Sequence, residues 1–485
     1  MEQASLITAL AFAADLLIRV GISVRVIMRR RPVGVSLAWL TIVLIFPFGG
    51  AVVYLLLGER RLGTRRAERA ARIHEPYLEW LADLRTRTDI DWSHLGQECE
   101  PLAQLTEATV GIPAMSGNTL VLIEDAEEIL RSIIADIDAA QRTCHLVFYI
   151  WNNGGTADEV AEALIRAARR GVICRVLVDD VGSLEFLRSD MPGRLREAGV
   201  HLVAALPVNL VRSLFVRFDL RMHRKIVVVD GEIGYTGSLN LVDPRYFKQK
   251  SGVGQWVDAM VRVTGPVVEG LAITFLEDWE LETGEGVEHL RATGDARPLE
   301  ETGSAAVQVV PSGPTTENHA VQQVLIMAIY AARKELILTS PYFVPDELML
   351  TALVAAARRG VDVTLIVPAK VDSKLVRLAS QAHKDDLLEA GVRIALFEGG
   401  LLHTKSITVD GEFSLFGSLN LDPRSLWLNF EITLAVYDPH FTGKLRDLQH
   451  RYVAESELMD FAAWMTRPTH ERLTANIARL LSPLL

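Results

Sequence analysis

The chain has 485 residues, 49% of them hydrophobic, which is enough for two or three domains with large cores. Its formal net charge of -11 at pH 7 argues against a general nucleic-acid-binding protein. Its cysteines are few and odd in number and show no CxxC or other metal-binding spacing, which argues against a disulfide framework; they are Cys99, Cys144 and Cys174.

Two apolar segments lie near the N-terminus. Residues 5–28 are apolar apart from three charged positions, and the 25 residues 33–57 carry no charge. The second segment is long enough to span a bilayer, with a kink at Pro47. We expect the first to span as well, the alternative being an amphipathic helix in the membrane interface. Residues 1–60 are therefore predicted to form a membrane helical hairpin, in preference to a buried hairpin of a soluble protein.

Arginines flank the second apolar segment. Three occupy positions 29–31, and six more lie between 60 and 72. By the positive-inside rule, the larger cluster places the rest of the chain in the cytoplasm. The same cluster, in a linker predicted over residues 61–108, would bind anionic lipid headgroups with about 1 kcal/mol per residue near the surface. The alternative is a solvated helix without contact to lipid.

The remainder of the chain contains two similar halves. AARRGVICRVLVDD at 167–180 parallels AAARRGVDVTLIVP at 355–368, and FYIWNNGG at 148–155 parallels SPYFVPDE at 340–347. Each half joins a helix of apolar periodicity, closed by glycine, to a strand that is nearly all apolar. This pattern is typical of an α/β unit whose sheet is covered on both faces.

The segment between the halves, residues 281–304, lacks apolar periodicity and is predicted to be a linker. The predicted domains are accordingly 109–295 and 296–485. We predict two α/β domains, one per repeat, after the N-terminal segments.

The first half has two insertions. Residues 206–222 mix Leu, Val and Phe with three arginines, Arg212, Arg217 and Arg221. That composition favours a loop that touches lipid near the mouth of the active site over one that packs as ordinary core. The second insertion is YFKQKSGVG, whose Lys248 and Lys250 are interpreted as solvated.

One pattern, HxKxxxxDGxxxxxGSLN, occurs in both halves. It reads HRKIVVVDGEIGYTGSLN from His223 and HTKSITVDGEFSLFGSLN from His403. The β-branched run followed by Asp-Gly predicts a hairpin. On a strand the His and Lys of each copy share a face, whereas Asp230 and Asp410 fall on the other, where they are better placed for turn hydrogen bonds. Two imidazoles, two ammonium groups and neutral donors together favour a phosphate site.

These residues resemble the HKD motif of the phospholipase D superfamily. The resemblance implies two α/β/α sandwich domains related by a pseudo-twofold axis, one shared site and no metal or other cofactor. One His attacks a phosphodiester, and the other protonates the leaving alcohol. The catalytic set carried over is His223, Lys225, Asp230, His403, Lys405 and Asp410; the phosphate-binding set is Ser238, Asn240, Ser418 and Asn420.

One acid lies within an apolar strand after each motif, Asp258 in QWVDAMVRV and Glu431 in NFEITLAV. A buried acid is costly unless it is paired. The resemblance implies that Glu431 orients His403 and that Asp258 orients His223, fixing each tautomer and stabilising the imidazolium.

The chain ends in a predicted amphipathic helix, whose apolar face holds Leu473, Ile477, Leu480, Leu481 and Leu484. We expect this helix to dock on the catalytic body; contact with the membrane is the alternative.

The full layout, from the apolar segments through both motifs to the LLSPLL terminus, resembles the bacterial cardiolipin synthases. The resemblance implies a multi-pass enzyme of the inner membrane that joins two phosphatidylglycerol molecules into cardiolipin and glycerol through a phosphohistidine. Its partners would be phosphatidylglycerol and anionic lipids, not nucleic acid. The alternatives are another phosphatidyltransferase, a phospholipase D hydrolase, a membrane-tethered nuclease, and a membrane-organising protein with a relic site.

Overall fold

The structure is a computed structural model that describes residues 2–29, 33–58, 64–208, 217, 219–314 and 319–481. Most of its strands join a single 15-stranded sheet. The strands are β1 (Met115–Ile123), β2 (Thr143–Phe148), β3 (Ile173–Asp179), β4 (His201–Ala205), β5 (Ile226–Val229), β6 (Ile233–Gly237), β7 (Trp256–Val257), β8 (Met260–Thr264), β9 (Ala305–Ser312), β10 (Glu335–Thr339), β11 (Asp362–Pro368), β12 (Arg393–Phe397), β13 (Leu401–Leu402), β14 (Ser406–Val409), β15 (Phe413–Gly417), β16 (Glu431–Tyr437) and β17 (Ser456–Leu458).

The sheet is symmetric about its centre, where β1 and β9 pair antiparallel with Met115 opposite Val307. The strand order is β17-β12-β11-β10-β14-β15-β16-β9-β1-β8-β6-β5-β2-β3-β4. Each half has three parallel strands at its outer side and antiparallel strands toward the centre. The two halves are therefore copies related by a pseudo-twofold axis through the centre of the sheet, and only β17 lacks a counterpart.

Helices surround this sheet and precede it. They are α1 (Glu2–Met28), α2 (Val33–Ile45), α3 (Pro47–Leu57), α4 (Thr64–Thr86), α5 (Cys99–Val110), α6 (Ala126–Ala139), α7 (Thr156–Arg169), α8 (Leu184–Leu187), α9 (Met191–Glu197), α10 (Val267–Thr283), α11 (Val287–Thr293), α12 (Ala320–Ala331), α13 (Glu347–Arg358), α14 (Lys374–Glu389), α15 (Pro423–Trp427), α16 (Pro439–Ala454), α17 (Phe461–Met465) and α18 (Thr469–Leu481).

Helices cover both faces of the sheet, which confirms the predicted α/β/α class. On one face, α6 and α7 pack on the first half through residues such as Ile133 and Leu164, and α12 and α13 pack on the second. On the other face, α10 and α16 share one core, to which they contribute Phe275 and Phe441. Because this core contains strands of both halves, it fixes the two copies against each other.

The predicted linker at residues 281–304 is not wholly irregular. α10 continues to Thr283, and α11 follows with Val287 and Leu290 buried in the shared core. The helix is only seven residues long, so its two apolar contacts are too few to show as periodicity in the sequence.

The N-terminal segments form three helices, of which one, over Leu6–Met28, is long and apolar enough to cross a membrane. The charge-free stretch does not continue as one helix, because Pro47 starts α3 after a break at Phe46. At 13 and 11 residues, α2 and α3 are about 20 and 17 Å long and fall short of the roughly 30 Å hydrocarbon core. The ring centroids of Trp39 and Tyr54 lie 5.3 Å apart, so α3 packs back on α2. The predicted kink is a full break.

Two of the linker arginines bind protein rather than lipid. Arg66 is buried and pairs with Glu282, and Arg69 donates to the carbonyl oxygens of Leu281 (3.0 Å) and Glu282 (2.9 Å). For these two arginines the predicted lipid contact is wrong, because α4 docks its basic face on the end of α10.

The C-terminal helix docks on the body as predicted, but through a different face. Ala478 packs against Ala379 of α14, whereas Leu473 and Ile477 are 60% and 51% exposed. The described part of the predicted apolar face therefore points away from the body, and Leu480, Leu481 and Leu484 lie outside the side chains that the structure describes.

Candidate active site

Both motifs fold as the predicted hairpins. β5 pairs with β6 and β14 with β15, and the Asp and Gly of each turn have positive φ, 52° and 65° at Asp230–Gly231. The Asp-Gly pair suits this turn because Gly has no Cβ and Asp tolerates the left-handed region. The glycine of GSLN is required by the packing of neighbouring strands. A Cβ at Gly237 would lie 2.5 Å from the Ala259 carbonyl oxygen, so this glycine allows close approach to β8 rather than to a ligand.

Asp230 and Asp410 do not reach the histidines. The Asp230 carboxylate accepts from the backbone N–H groups of Gln141, Arg142 and Thr143 at 2.7–2.9 Å. Asp410 does the same for residues 333–335. The strand between Asp230 and its histidine spans roughly 13 Å. Their placement in the catalytic set is therefore wrong, and the strand-parity argument, which gave them hydrogen bonds at the turn, is confirmed.

Each motif histidine is anchored on the opposite half of the chain. The backbone N–H of His223 donates to the Phe430 carbonyl oxygen at 2.9 Å, and that of His403 donates to the Val257 oxygen at 2.8 Å. The segments pair in parallel at these points, Met222 with Phe430 and β13 with β7. Phe430 and Val257 immediately precede the two strand acids, so each acid lies next to the histidine of the other half.

The pairing of acids and histidines is consequently crossed. His223 Nδ1 lies 2.7 Å from Glu431 Oε2, and His403 Nδ1 lies 2.7 Å from Asp258 Oδ1. Both acids are fully buried. They do orient the histidines, but the predicted assignment of Glu431 to His403 and of Asp258 to His223 is wrong. Because Nδ1–H donates to a carboxylate, each imidazole keeps its Nε2 lone pair for chemistry.

The motif serines hold these acids in place. Ser238 Oγ donates to Asp258 at 2.6 Å and accepts from the Ala259 N–H at 3.0 Å. Ser418 Oγ donates to Glu431 at 2.6 Å and accepts from the Ile432 N–H at 2.9 Å. Each hydroxyl thus has its proton and one lone pair committed within the protein. The expectation that the serines bind phosphate is not supported by this geometry.

The lysines and asparagines retain groups for a ligand. Lys225 Nζ donates one bond, to the His223 carbonyl oxygen at 2.7 Å, and Lys405 does the same to His403. An ammonium has three donors, so others stay available. Asn240 Oδ1 accepts from the Ile150 N–H at 3.1 Å, but its Nδ2 is buried without a partner among the described residues, as is Oδ1 of Asn420. A bound phosphate can relieve the desolvation cost of the donor Asn240 Nδ2, whereas the acceptor Asn420 Oδ1 requires a donor such as a substrate hydroxyl.

The electrostatics show that both motifs form one site, since each histidine is affected by both motif lysines. Burial lowers the pKa of His223 to about 4, opposed by Glu431 and reinforced by the lysines. Burial and then Lys405 lower the pKa of His403, also to about 4, against Asp258. Both imidazoles are therefore neutral at pH 7 in the empty site.

Burial also lowers the pKa of both lysines, for Lys225 to about 8 and for Lys405 well below its usual value. Burial raises the pKa of each acid, but the facing histidine, a motif lysine and a motif serine together outweigh it, so the pKa values of Glu431 and Asp258 lie below their ordinary values. The site holds two buried carboxylates and two lysines whose charged form burial disfavours, so an anionic ligand favours protonation of these lysines.

Two rings beside the histidines escaped the sequence analysis. Tyr149 lies 4.8 Å from His223 and Trp256 lies 4.3 Å from His403, between ring centroids. Both were within reach of sequence reasoning, because Tyr149 belongs to the repeated FYIWNNGG segment and Trp256 precedes the strand acid by two residues. They shield the imidazoles from water and so contribute to the pKa shifts.

The structure describes the two insertions of the first half to different extents. Lys248 is not simply solvated, because it forms an ion pair with Asp372 of the second half at 3.5 Å. Phe247 and Trp256 pack in one cluster with Leu401, so this insertion closes over the His403 side. The side chain of Lys250 lies outside the described set, as do residues 209–216 and 218 of the first insertion, including Arg212.

The described arginines of the first insertion contact protein. Arg217 pairs with Asp219, with its Nη2 2.9 Å from Oδ2, and Arg221 donates to the Leu220 carbonyl oxygen at 2.7 Å. The predicted lipid contact of this loop stays a prediction. Within the described ranges, no group of three or more His, Cys, Asp or Glu side chains is placed to hold a metal ion.

Comparison with known proteins agrees with this geometry. The family described as "Cardiolipin synthase, PLD-like domain" matches residues 133–268 and 325–452, and "Phospholipase_D-nuclease N-terminal" matches 19–59. Cardiolipin synthase A of Edwardsiella ictaluri is 46% identical over 99% of both chains, and that of Yersinia pseudotuberculosis is 47% identical over 96% of both.

Among solved structures, phosphatidylserine synthase from Haemophilus influenzae superposes with a TM-score of 0.59 at 16% identity, covering 80% of this chain and 100% of that one. That likeness supports the fold alone. The family matches span both halves and the curated relatives almost the whole length, so the chain belongs to the cardiolipin synthase family with phospholipase D-like domains.

Proposed function

We propose that the protein is a membrane-anchored phosphatidyltransferase that joins two phosphatidylglycerol molecules into cardiolipin and glycerol. The observation that carries the proposal is the pair of crossed His–carboxylate contacts, which puts two imidazoles and two ammonium groups in one buried site. Two relatives that bear the name cardiolipin synthase A support the choice of substrate.

In the first step, Nε2 of one motif histidine attacks the phosphorus of a phosphatidylglycerol. The P–O bond to the headgroup glycerol breaks, and the second histidine, as imidazolium, gives its proton to the leaving oxygen. In the empty site both imidazoles are neutral. The negative phosphodiester favours the charged form of a neighbouring imidazole, so substrate binding itself raises the pKa of the general acid.

In the second step, a hydroxyl of another phosphatidylglycerol attacks the phosphohistidine. The imidazole that lost its proton in the first step now accepts one from this hydroxyl, the P–N bond breaks, and cardiolipin leaves. The general acid–base step is worth about 10²- to 10⁴-fold in rate. The same intermediate attacked by water would give phosphatidic acid, so exclusion of water decides between transfer and hydrolysis.

The remaining polar groups have distinct roles in this proposal. Lys225, Lys405 and Asn240 bind the phosphoryl oxygens, because they have N–H donors left for a ligand, whereas the unpartnered Oδ1 of Asn420 is an acceptor and suits a hydroxyl of the substrate. Glu431 and Asp258 are positioning residues that fix the imidazole tautomers.

We further propose that the catalytic body lies on the cytoplasmic side of the bacterial inner membrane. The sequence predicts a multi-pass anchor, but α2 and α3 are each too short to cross and pack together. We propose that α1 alone crosses the membrane and that the α2–α3 pair enters from the cytoplasmic side and returns to it. The arginines at 29–31 and at 60–72 are then all cytoplasmic, as the positive-inside rule favours. Reporters on the N-terminus and on the body would then lie on opposite sides; with two crossings they would share a side.

The reaction is tested by incubating the purified full-length protein in detergent with phosphatidylglycerol and excess EDTA, beside His223→Ala and His403→Ala. We expect cardiolipin and free glycerol from the wild type alone, with both variants folded. Phosphatidic acid as the only product would show hydrolysis instead. Turnover of oligonucleotides but not of lipid would overturn the proposal, and full activity in either variant would overturn the shared site.

A further inference from the structure

A cleft lies beside the proposed catalytic centre, between α14 and α17. Its cavity volume is about 170 Å³, close to that of an engineered cavity of roughly 150 Å³ that binds benzene, so it can hold part of an acyl chain. Its walls are mainly apolar, with Phe343, Val367, Val376, Met459 and Trp464 among the lining residues. Neither the proposed mechanism nor the sequence motifs use this cleft.

The inner end of the cleft faces the active-site edge of the sheet. It is lined there by Pro341 and Phe343, from the loop after β10. Phe343 forms a β-bridge with Leu421, just as Trp151 does with Leu241 in the first half, so Phe343 and Trp151 are equivalent positions. Two residues earlier, Pro341 is therefore equivalent to Tyr149. Tyr149 is the residue that packs on His223. The cleft then runs outward along α14.

The cation Lys384 lines the apolar cleft where it runs along α14. Its ammonium lies 5.5 Å from the Trp464 ring centroid, and no carboxylate pairs with it among the described residues. The nearby acid, Asp385, is already held by Arg467 and by Trp464 Nε1 at 2.5 and 2.6 Å. Burial, together with Arg467, lowers the pKa of Lys384 to about 8. An anion bound here would compensate a positive charge that is only partly exposed to water.

The surroundings of the cleft fit an amphiphile. Arg377 lines the cleft and is exposed, which adds a second cation near its mouth. Phe461 and Met465 of α17 and Leu473 and Ile477 of α18 are exposed large apolar side chains on the neighbouring helices. Exposed apolar side chains beside cations are the composition of a surface that contacts anionic lipid.

We propose that this cleft binds one anionic phospholipid, with the phosphate on Lys384 and an acyl chain along the apolar wall that contains Trp464. The site is separate from the reacting phosphate, because Lys384 lies ten residues, or about 15 Å, along α14 from its active-site end at Lys374. The apolar lining favours a lipid over free phosphate, since inorganic phosphate would leave that surface unused. The inference goes beyond the proposed reaction and does not depend on turnover.

The test is lipid binding to the full-length protein in detergent, in a His223→Ala background so that no lipid is consumed. The probe is phosphatidic acid with brominated acyl chains, which quenches nearby tryptophan fluorescence. We expect saturable quenching that decreases in Trp464→Phe, with residual quenching of Trp256, which lies beside His403, and of Trp39 in α2. Lys384→Met should weaken binding about tenfold, the loss of one charge-assisted contact. Lys384→Arg should retain affinity, and Lys444→Met, which changes an exposed lysine on α16, should have no effect.

Three results would overturn the proposal. Equal quenching by brominated phosphatidylcholine would show an apolar groove without a site for the anion. Unchanged affinity in Lys384→Met would exclude the assigned contact. Binding of inorganic phosphate that depends on Lys384, without lipid quenching, would show a phosphate site only. The variants are compared with a catalytically inactive parent, so lipid binding is measured independently of turnover. A negative result in this binding test would not contradict the proposed transfer reaction, and absence of that reaction would not contradict the proposed lipid site.

Discussion

Replacing Glu431 by Gln tests the crossed arrangement directly. Gln keeps the shape of the side chain but removes the charge that faces Nδ1 of His223 across 2.7 Å. Two unit charges centred about 4 Å apart interact by about 4 kcal/mol at an effective dielectric of about 20. That corresponds to roughly 3 pKa units, so the His223 imidazolium becomes harder to form by that amount. We expect kcat to fall on the order of 10³-fold, because either role makes the His223 ring cationic: the general acid carries a second proton, and the nucleophile carries the phosphoryl group on Nε2 with a proton on Nδ1.

The assay that identifies the partner is chemical labelling of each histidine. Diethylpyrocarbonate acylates a neutral imidazole nitrogen, and peptide mapping separates His223 from His403. Glu431→Gln should slow labelling of His223 and spare His403, because the carboxylate that orients and polarises the first imidazole is lost. Asp258→Asn is the matched control and should do the reverse. If Glu431→Gln slowed labelling of His403 instead, the pairing within one half would be right and the crossed pairing wrong.

Three further outcomes follow from the site. Asp230→Asn should lower the free energy of unfolding by about 2 kcal/mol, because the hydrogen bonds to three backbone N–H groups become weaker. The kcat of the folded enzyme should stay unchanged. Thermal unfolding and steady-state kinetics measure the two effects. Ser418→Ala should lower kcat about tenfold by loosening Glu431 without raising KM; a raised KM with kcat intact would show that this hydroxyl binds phosphate after all. In a pH profile, kcat/KM should be highest near pH 4, where one histidine of the free enzyme is neutral and the other protonated, and should fall at higher pH as the general acid loses its proton. The fall should steepen above about pH 8, where Lys225 loses its charge; a flat profile up to pH 10 would contradict both roles.

Much of the catalytic centre was predictable from local pattern. The histidines and lysines stand out because the same spacing occurs twice, and the Asp-Gly pairs predict hairpins that the structure contains. Strand parity also separated Asp230 and Asp410 from the chemistry, although the family resemblance had placed them within it. The resemblance erred there because a motif records that residues occur together, not which of them touch the substrate.

The N-terminal segments show where composition is insufficient. A charge-free run of 25 residues predicts a spanning helix, yet Pro47 divides it into two helices that pack together. Composition measures whether a segment can enter lipid, whereas its path depends on the backbone at one residue. The exposed Leu473 and Ile477 make the same point for α18, because periodicity predicts an apolar face but not which surface that face meets.

By itself the sequence determined the duplicated α/β fold, the two His–Lys pairs and the phosphodiester chemistry they favour, because these depend on residue type and on spacing along one strand. Only the tertiary structure decided which acid serves which histidine, that the serines hold those acids, and that Lys384 lines an apolar cleft without a carboxylate. These contacts join residues brought together by packing across the pseudo-twofold axis, between neighbouring strands of one half, or between helices. Glu431 and His223 are 208 positions apart in the chain, and no local pattern records that they are neighbours.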